Sequence, residues 1–152
     1  MENLKKFIII LLIVSSSCGK DDPAPSTPNT DPVLQDEFNQ FFTDAVSRGK
    51  NLSKANLIVK FVDQQDPHLQ YYSGSYKEGA ITIIALNKVY LDNIGGKYKS
   101  SVYRELAHVL LNKQYINGCG ASLSHTDIMC NNFCPCEDDG STWKTSVDQL
   151  LQ

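Results

Sequence analysis

Residues 101–113 read SVYRELAHVLLNK, and this stretch decides the centre of the predicted fold. Apolar residues recur there at the three- and four-residue spacing of one helix face: Val102, Leu106, Val109 and Leu110. A second face collects Arg104, His108, Leu111 and, one turn later, Tyr115. The pattern therefore predicts a helix over Ser100–Lys113 with one face packed in a core and another face that carries polar side chains.

Arg104 and His108 of the second face begin and end the run Arg104-Glu105-Leu106-Ala107-His108, which differs at one key position from the zinc-peptidase pattern H-E-x-x-H. In that pattern two histidines four residues apart reach one zinc ion, and the glutamate polarises the attacking water. Glu105 and His108 match the base and the second ligand, whereas Arg104 stands at the first ligand. A guanidinium stays protonated and has no lone pair for zinc, so catalysis by the usual route is not expected.

The flanking sequence predicts one α+β domain over 33–152. A three- and four-residue apolar stripe indicates a helix over Val33–Arg48, and Thr142–Leu151 has the pattern of a last amphipathic helix. Branched and apolar runs predict strands over Asn56–Asp63 and Ala80–Leu86. Between the strands, 71–79 has the composition of a turn-rich excursion, and 87–96 allows a short helical turn.

The run Tyr103–Lys113 resembles the active-site helix of a zincin-like metallopeptidase family found in Bacteroidetes lipoproteins. That helix reads roughly (V/I)-(F/Y)-H-E-L-G-H-C-L-L-N/G-R-x-H. The likeness extends over most of 33–130, through the phenylalanine-rich first helix, the two strands and the late Asp127-Ile128-Met129. It implies a zincin-like fold, in which a small β-sheet packs on an N-terminal helix and a central active-site-type helix, followed by a disulfide-rich C-terminal part.

The resemblance also implies a role for each matching residue. Glu105 falls on the catalytic base as a vestigial general base, and His108 falls on the only surviving metal-ligand position. Arg104 and Tyr115 occupy two positions where the family has histidine, and Met129 falls on the methionine turn beneath the metal. The implied function is a degenerate, catalytically inactive metallopeptidase-like domain that needs no cofactor and acts as a binding or accessory module, with a peptide or protein ligand in the old cleft.

Two alternatives stay open. His125 lies four residues before Met129, and with His108 and Glu105 it would give a zinc-dependent peptidase a non-standard ligand set. The other alternative is an unrelated structural or interaction lipoprotein, because Glu-x-x-His on an amphipathic helix also arises by chance. Zinc content separates the peptidase from the other two hypotheses.

The amino terminus indicates export. Lys5 and Lys6 precede the apolar run 7–14, which is too short for a membrane span, and small residues lead from there to Cys18. This pattern resembles a bacterial lipoprotein signal peptide over 1–17, with Cys18 as the lipidated first residue. An ordinary secretory signal that leaves Cys18 unmodified is the alternative.

The residues after Cys18 indicate a tether. The charged 19–22 resembles a tag for the outer face of the outer membrane, and the proline-rich segment that follows completes a flexible linker over 18–32. The predicted location is the outer membrane, with attachment through a lipid anchor. The formal net charge of −3 with scattered lysines argues against a nucleic-acid partner.

The four remaining cysteines all lie in the last third of the chain: Cys119, Cys130, Cys134 and Cys136. An even set in an exported protein indicates two disulfides, and zinc binding by four thiolates is less favoured in an oxidising compartment. Cys134 and Cys136 are too close in sequence to pair without strain. Each is therefore expected to pair with Cys119 or Cys130, in either order.

Overall fold

The computed structural model describes residues 29–116, 127–130 and 140–152. A single 3-10 turn over Pro32–Leu34 leads into the first α-helix. The helices are α1 (Gln35–Ser47), α2 (Lys88–Asn93), α3 (Tyr98–Leu111) and α4 (Gly140–Leu150). The strands are β1 (Leu57–Val62), β2 (Ser73–Glu78) and β3 (Ile81–Asn87). The prediction of an α+β domain with a small sheet is confirmed.

The sheet has the order β1-β3-β2, with β1 parallel and β2 antiparallel to the central strand β3. Strand β3 is almost wholly apolar and buried, as expected for a strand paired on both sides. A two-residue turn joins β2 to β3, and Gly79 adopts a positive φ of 58° there. Glycine reaches this left-handed region without the steric penalty of a side chain, so the hairpin closes tightly.

The prediction of a turn-rich excursion over 71–79 is wrong, because Ser73–Glu78 forms strand β2. The sequence of β2, SGSYKE, lacks the branched residues that favour a strand. It becomes a strand because the Gly79 turn folds it back onto β3, where cross-strand hydrogen bonds decide its conformation. This correction matters for the site, since Ser73, the first residue of β2, and Tyr72, which precedes it, both belong to the site.

The core lies between one face of the sheet and the helices α1, α3 and α4. Helix α1 contributes phenylalanines to it, and the ring of Phe41 meets the ring of Tyr103 edge to face at 5.2 Å. The buried phenol of Tyr103 donates a hydrogen bond of 2.6 Å to Asp44. Burial, followed by the contact with the Asp44 carboxylate, raises the pKa of Tyr103 well above its ordinary value. Helix α3 is thereby fixed against α1.

Candidate functional site

Helix α3 directs two adjacent charged side chains into the protein interior. Arg104 is 3% exposed and Glu105 is fully buried, although the sequence predicts a solvent-facing cleft at this helix face. Their closest charged atoms, Nη2 of Arg104 and Oε1 of Glu105, lie 3.1 Å apart. A buried ion pair of this kind is costly to desolvate and persists only when further hydrogen bonds satisfy both groups.

Both carboxylate oxygens of Glu105 are occupied. Oε1 accepts hydrogen bonds from the Ser73 hydroxyl at 2.6 Å and from Nε and Nη2 of Arg104 at 3.2 and 3.1 Å. Oε2 accepts a hydrogen bond of 2.6 Å from the phenol of Tyr115. A general base must reach the proton that it removes, directly or through one water. Glu105 instead contacts protein donors on both oxygens and has no exposed surface.

Arg104 makes one hydrogen bond for each of its five N–H groups. Besides the two bonds to Glu105, Nη1 donates to the Tyr72 hydroxyl and to the carbonyl of Cys130, the latter at 3.5 Å. Nη2 also donates to the hydroxyl of Ser73. The guanidinium carbon lies 4.3 Å from the centre of the Tyr72 ring and 5.4 Å from that of Tyr115. The cation is therefore held by hydrogen bonds and by two aromatic rings.

Tyr115 belongs to this cluster, but it does not lie on helix α3 as predicted. Helix α3 ends at Leu111, and Asn112 adopts the left-handed conformation at a φ of 53°. The interpretation of Tyr115 as one more turn on the same helix face is therefore wrong, since the helix ends before it. The phenol still returns to Glu105. Burial, and then the charge of Glu105, raises the pKa of Tyr115 well above its ordinary value, so the phenol keeps its proton.

The ring of Tyr115 lies between His108 and the ion pair of Arg104 and Glu105. The His108 imidazole stacks on the Tyr115 ring with the centroids 4.5 Å apart. Nδ1 lies 2.8 Å from the carbonyl oxygen of Lys113, and because a carbonyl only accepts, Nδ1 carries the hydrogen. In the neutral form of the ring, Nε2 then holds the lone pair. Histidine ligands of metals are often oriented in this way, but one imidazole alone does not make a hydrolytic zinc site.

The turn at 127–130 closes the cluster from another side. Asp127 caps the turn by accepting a hydrogen bond of 2.9 Å from the amide of Met129. The carbonyl of Met129 accepts a hydrogen bond of 2.9 Å from the amide of Ile116, which ties the turn to the segment that carries Tyr115. The Met129 side chain is buried in the core, and the next carbonyl, that of Cys130, contacts Arg104.

The residues of this site do not fit a zinc ion. A guanidinium stands at one expected ligand position and a protonated phenol at the other, which leaves His108 as the single nitrogen donor among the described residues of the site. Across 29–116, 127–130 and 140–152, no group of three potential metal ligands comes together. The predicted contributions of His125, Cys18, Cys119, Cys134 and Cys136 lie outside the described residues and stay predictions.

No protein-family model, curated protein or solved structure matches this chain. Within the described part of the chain, no helix has the length and apolar character needed to cross a membrane.

Sequence reasoning found four members of the cluster and missed two. Arg104, Glu105, His108 and Tyr115 all come together as contacting neighbours. Tyr72 and Ser73 were missed because they belong to the segment interpreted as a turn-rich excursion. Their only local signal is position, since they lie at the start of β2, Tyr72 just before the strand and Ser73 as its first residue. His68, outside the cluster, is 46% exposed in its side chain and stacks on Tyr76.

Proposed function

We propose that this chain is an exported, lipid-anchored protein whose folded domain is a degenerate zinc-metallopeptidase-like module without peptidase activity. The main support for the proposal is the inaccessible carboxylate of Glu105. It is fully buried, and both of its oxygens accept hydrogen bonds from Ser73, Arg104 and Tyr115. Glu105 stands where the resemblance implies a base, and Arg104 and Tyr115 stand where it implies two metal ligands.

The chemistry of the cluster supports the loss of hydrolysis. Activation of water by zinc needs ligands with free lone pairs and an open coordination position. Arg104 offers only donors, and the protonated phenol of Tyr115 donates its hydrogen bond to Glu105. The carboxylate could act as a base only after this network had opened. That would leave a guanidinium buried without its counter-ion, at a cost of about 3–5 kcal/mol.

A binding role is supported by the strand next to the cluster. Strand β2 forms one edge of the sheet, because β3 is the one described strand that it pairs with; its first residue, Ser73, also forms a bridge with Gln70. Sheet edges bind extended peptides through backbone hydrogen bonds, with side-chain pockets giving specificity. Ser73, at the start of β2, is itself a member of the buried cluster. The module is therefore proposed to hold a peptide or protein segment without cleaving it.

Metal analysis of the purified domain, together with a peptidase assay on a mixed peptide library, tests the proposal. We expect less than one-tenth of an equivalent of zinc and no cleavage above the Glu105→Gln variant. Stoichiometric zinc that is lost on His108→Ala would instead establish the peptidase alternative with a non-standard ligand set. The double variant Arg104→His, Tyr115→His restores the missing donors. Tight zinc binding by it, absent from each single variant, would support the ancestry.

The anchor has its own test. Export of the full chain in a bacterial host, with metabolic labelling by an alkyne fatty acid, should label the wild type and leave Cys18→Ala unlabelled. Cys18→Ser is the matched control that preserves size and polarity, and it should also remain unlabelled. Labelling of either variant would refute lipidation at Cys18 and favour an ordinary secretory signal.

A further inference from the structure

We infer that the pocket around Arg104 is a guanidinium-binding site whose ligand is supplied by the same chain. A guanidinium group bound in this pocket holds the surrounding segments together. The covalent bonds that attach the group to the arginine backbone are not needed for this effect. The inference concerns residues of the proposed function, but it depends only on the geometry of the pocket. It stands whether or not the domain descends from a metallopeptidase.

The acceptors of the pocket match the five N–H donors of a planar arginine guanidinium. Four groups receive the five hydrogen bonds of Arg104: the carboxylate of Glu105, the hydroxyls of Tyr72 and Ser73, and the carbonyl of Cys130. They come from three separate parts of the chain. An ammonium ion has four N–H donors in a tetrahedral arrangement and would leave at least one of these bonds unmade in a buried position.

The shape and charge of the pocket also favour a guanidinium. The rings of Tyr72 and Tyr115 lie within cation–π distance of the guanidinium carbon, and a flat, weakly hydrated cation stacks on such rings better than an ammonium does. Glu105 supplies the single negative charge that the cation needs. A ligand without charge would leave this carboxylate buried and uncompensated.

The aromatic contacts continue outward on both sides of the pocket. The Tyr72 ring stacks in parallel with that of Tyr90 at 5.2 Å, and the Tyr115 ring stacks with His108. Tyr90 is 41% exposed, so this chain of ring contacts runs from the buried cation to the surface. The two caging rings are thus held by neighbours of their own, and the pocket should keep its shape when its ligand is removed.

The test is chemical rescue of Arg104→Ala. Removal of the guanidinium leaves the Glu105 carboxylate buried without a counter-ion. We therefore expect the melting temperature to fall by roughly 10 °C or more. Guanidinium chloride at roughly 20 mM, far below the molar range that unfolds proteins, should restore about 5 °C if it binds with a millimolar dissociation constant. Sodium and ammonium chloride at the same concentration should restore none of it.

Arg48→Ala is the matched control. Arg48 also pairs with a carboxylate, Asp148, but its side chain is 21% exposed and lies over no aromatic ring among its described contacts. Guanidinium should not raise the melting temperature of this variant. Equal rescue of both variants, or rescue of Arg104→Ala by ammonium, would overturn the inference of a specific site.

Two further measurements cover the case in which Arg104→Ala does not fold in buffer. The same titration then becomes a folding assay, in which guanidinium should restore the helical circular dichroism signal and ammonium should not. In the wild type, the Nε–H of Arg104 should remain visible by nuclear magnetic resonance at pH 8, because its hydrogen bond to Glu105 is buried. Rapid exchange of that hydrogen with solvent, or failure of guanidinium to restore folding, would refute the inference.

Discussion

Replacement of Glu105 by glutamine should destabilise the domain strongly while changing its shape little. The carboxylate accepts four hydrogen bonds and, among the residues that the structure describes, is the only negative charge paired with the buried guanidinium of Arg104. Glutamine keeps the volume but removes the charge and turns one acceptor into a donor that faces existing donors. Loss of one partner of a buried ion pair costs about 3–5 kcal/mol.

Urea unfolding, followed by circular dichroism and by the fluorescence of Trp143, measures this loss. For a typical urea dependence of about 2 kcal/mol per molar, the midpoint should fall by roughly 2 M. Glu78→Gln is the matched control, since it makes the same chemical change on the exposed end of β2, and its midpoint should equal that of the wild type. If Glu105→Gln is as stable as the wild type, Glu105 is not the buried counter-ion of Arg104.

A double variant separates the ion pair from simple packing. Arg104→Met with Glu105→Leu replaces both charges by apolar groups of similar volume, which is often tolerated in protein cores. We expect its loss of stability to be at least about 2 kcal/mol smaller than the sum of the two single losses, because neither charge is left alone. Additive losses would mean that the two side chains do not interact.

Three smaller effects are expected elsewhere. Tyr115→Phe removes the hydrogen bond to the carboxylate of Glu105 and should cost about 1.5–3 kcal/mol in urea unfolding, whereas Tyr71→Phe, at a largely exposed ring, should cost nothing measurable. Gly74→Ala places a methyl group 2.1 Å from the His68 carbonyl and should destabilise by about 1–3 kcal/mol, against no change for Ser75→Ala. Asp148 has a pKa below its ordinary value, first through Lys144 and then through Arg48, so its contribution to stability is present at neutral pH and fades as the pH falls through that lowered value. Lys144→Ala should raise the Asp148 pKa in a carboxyl titration by nuclear magnetic resonance, and an unchanged value would contradict the contact.

The sequence predicts the elements that carry their own pattern. Helix α1 has a phenylalanine stripe, and strand β3 is a short apolar run, so both were predicted close to their observed bounds. Strand β2 has no such pattern, and only its pairing with β3 makes it a strand. Local propensity could not show this, because the decisive hydrogen bonds come from another segment.

Most residues of the site could be predicted from the sequence, but their burial could not. Spacing placed Arg104 and His108 on one helix face, and the structure brings both to the same cluster. Their burial depends on Tyr72 and Ser73, which lie some thirty residues earlier and close over the guanidinium. A sequence pattern of one helix does not report what covers it, so a cleft was expected where a filled interior exists.

A cation built into the chain differs from a bound ion in its supply. A metal site is loaded after synthesis, can be emptied by chelators, and varies in occupancy with the surroundings. Arg104 is delivered by translation in a ratio of one per molecule and cannot diffuse away from Tyr72 and Glu105. Every copy is therefore complete as soon as it folds. The architecture of this centre is independent of which metals the medium contains.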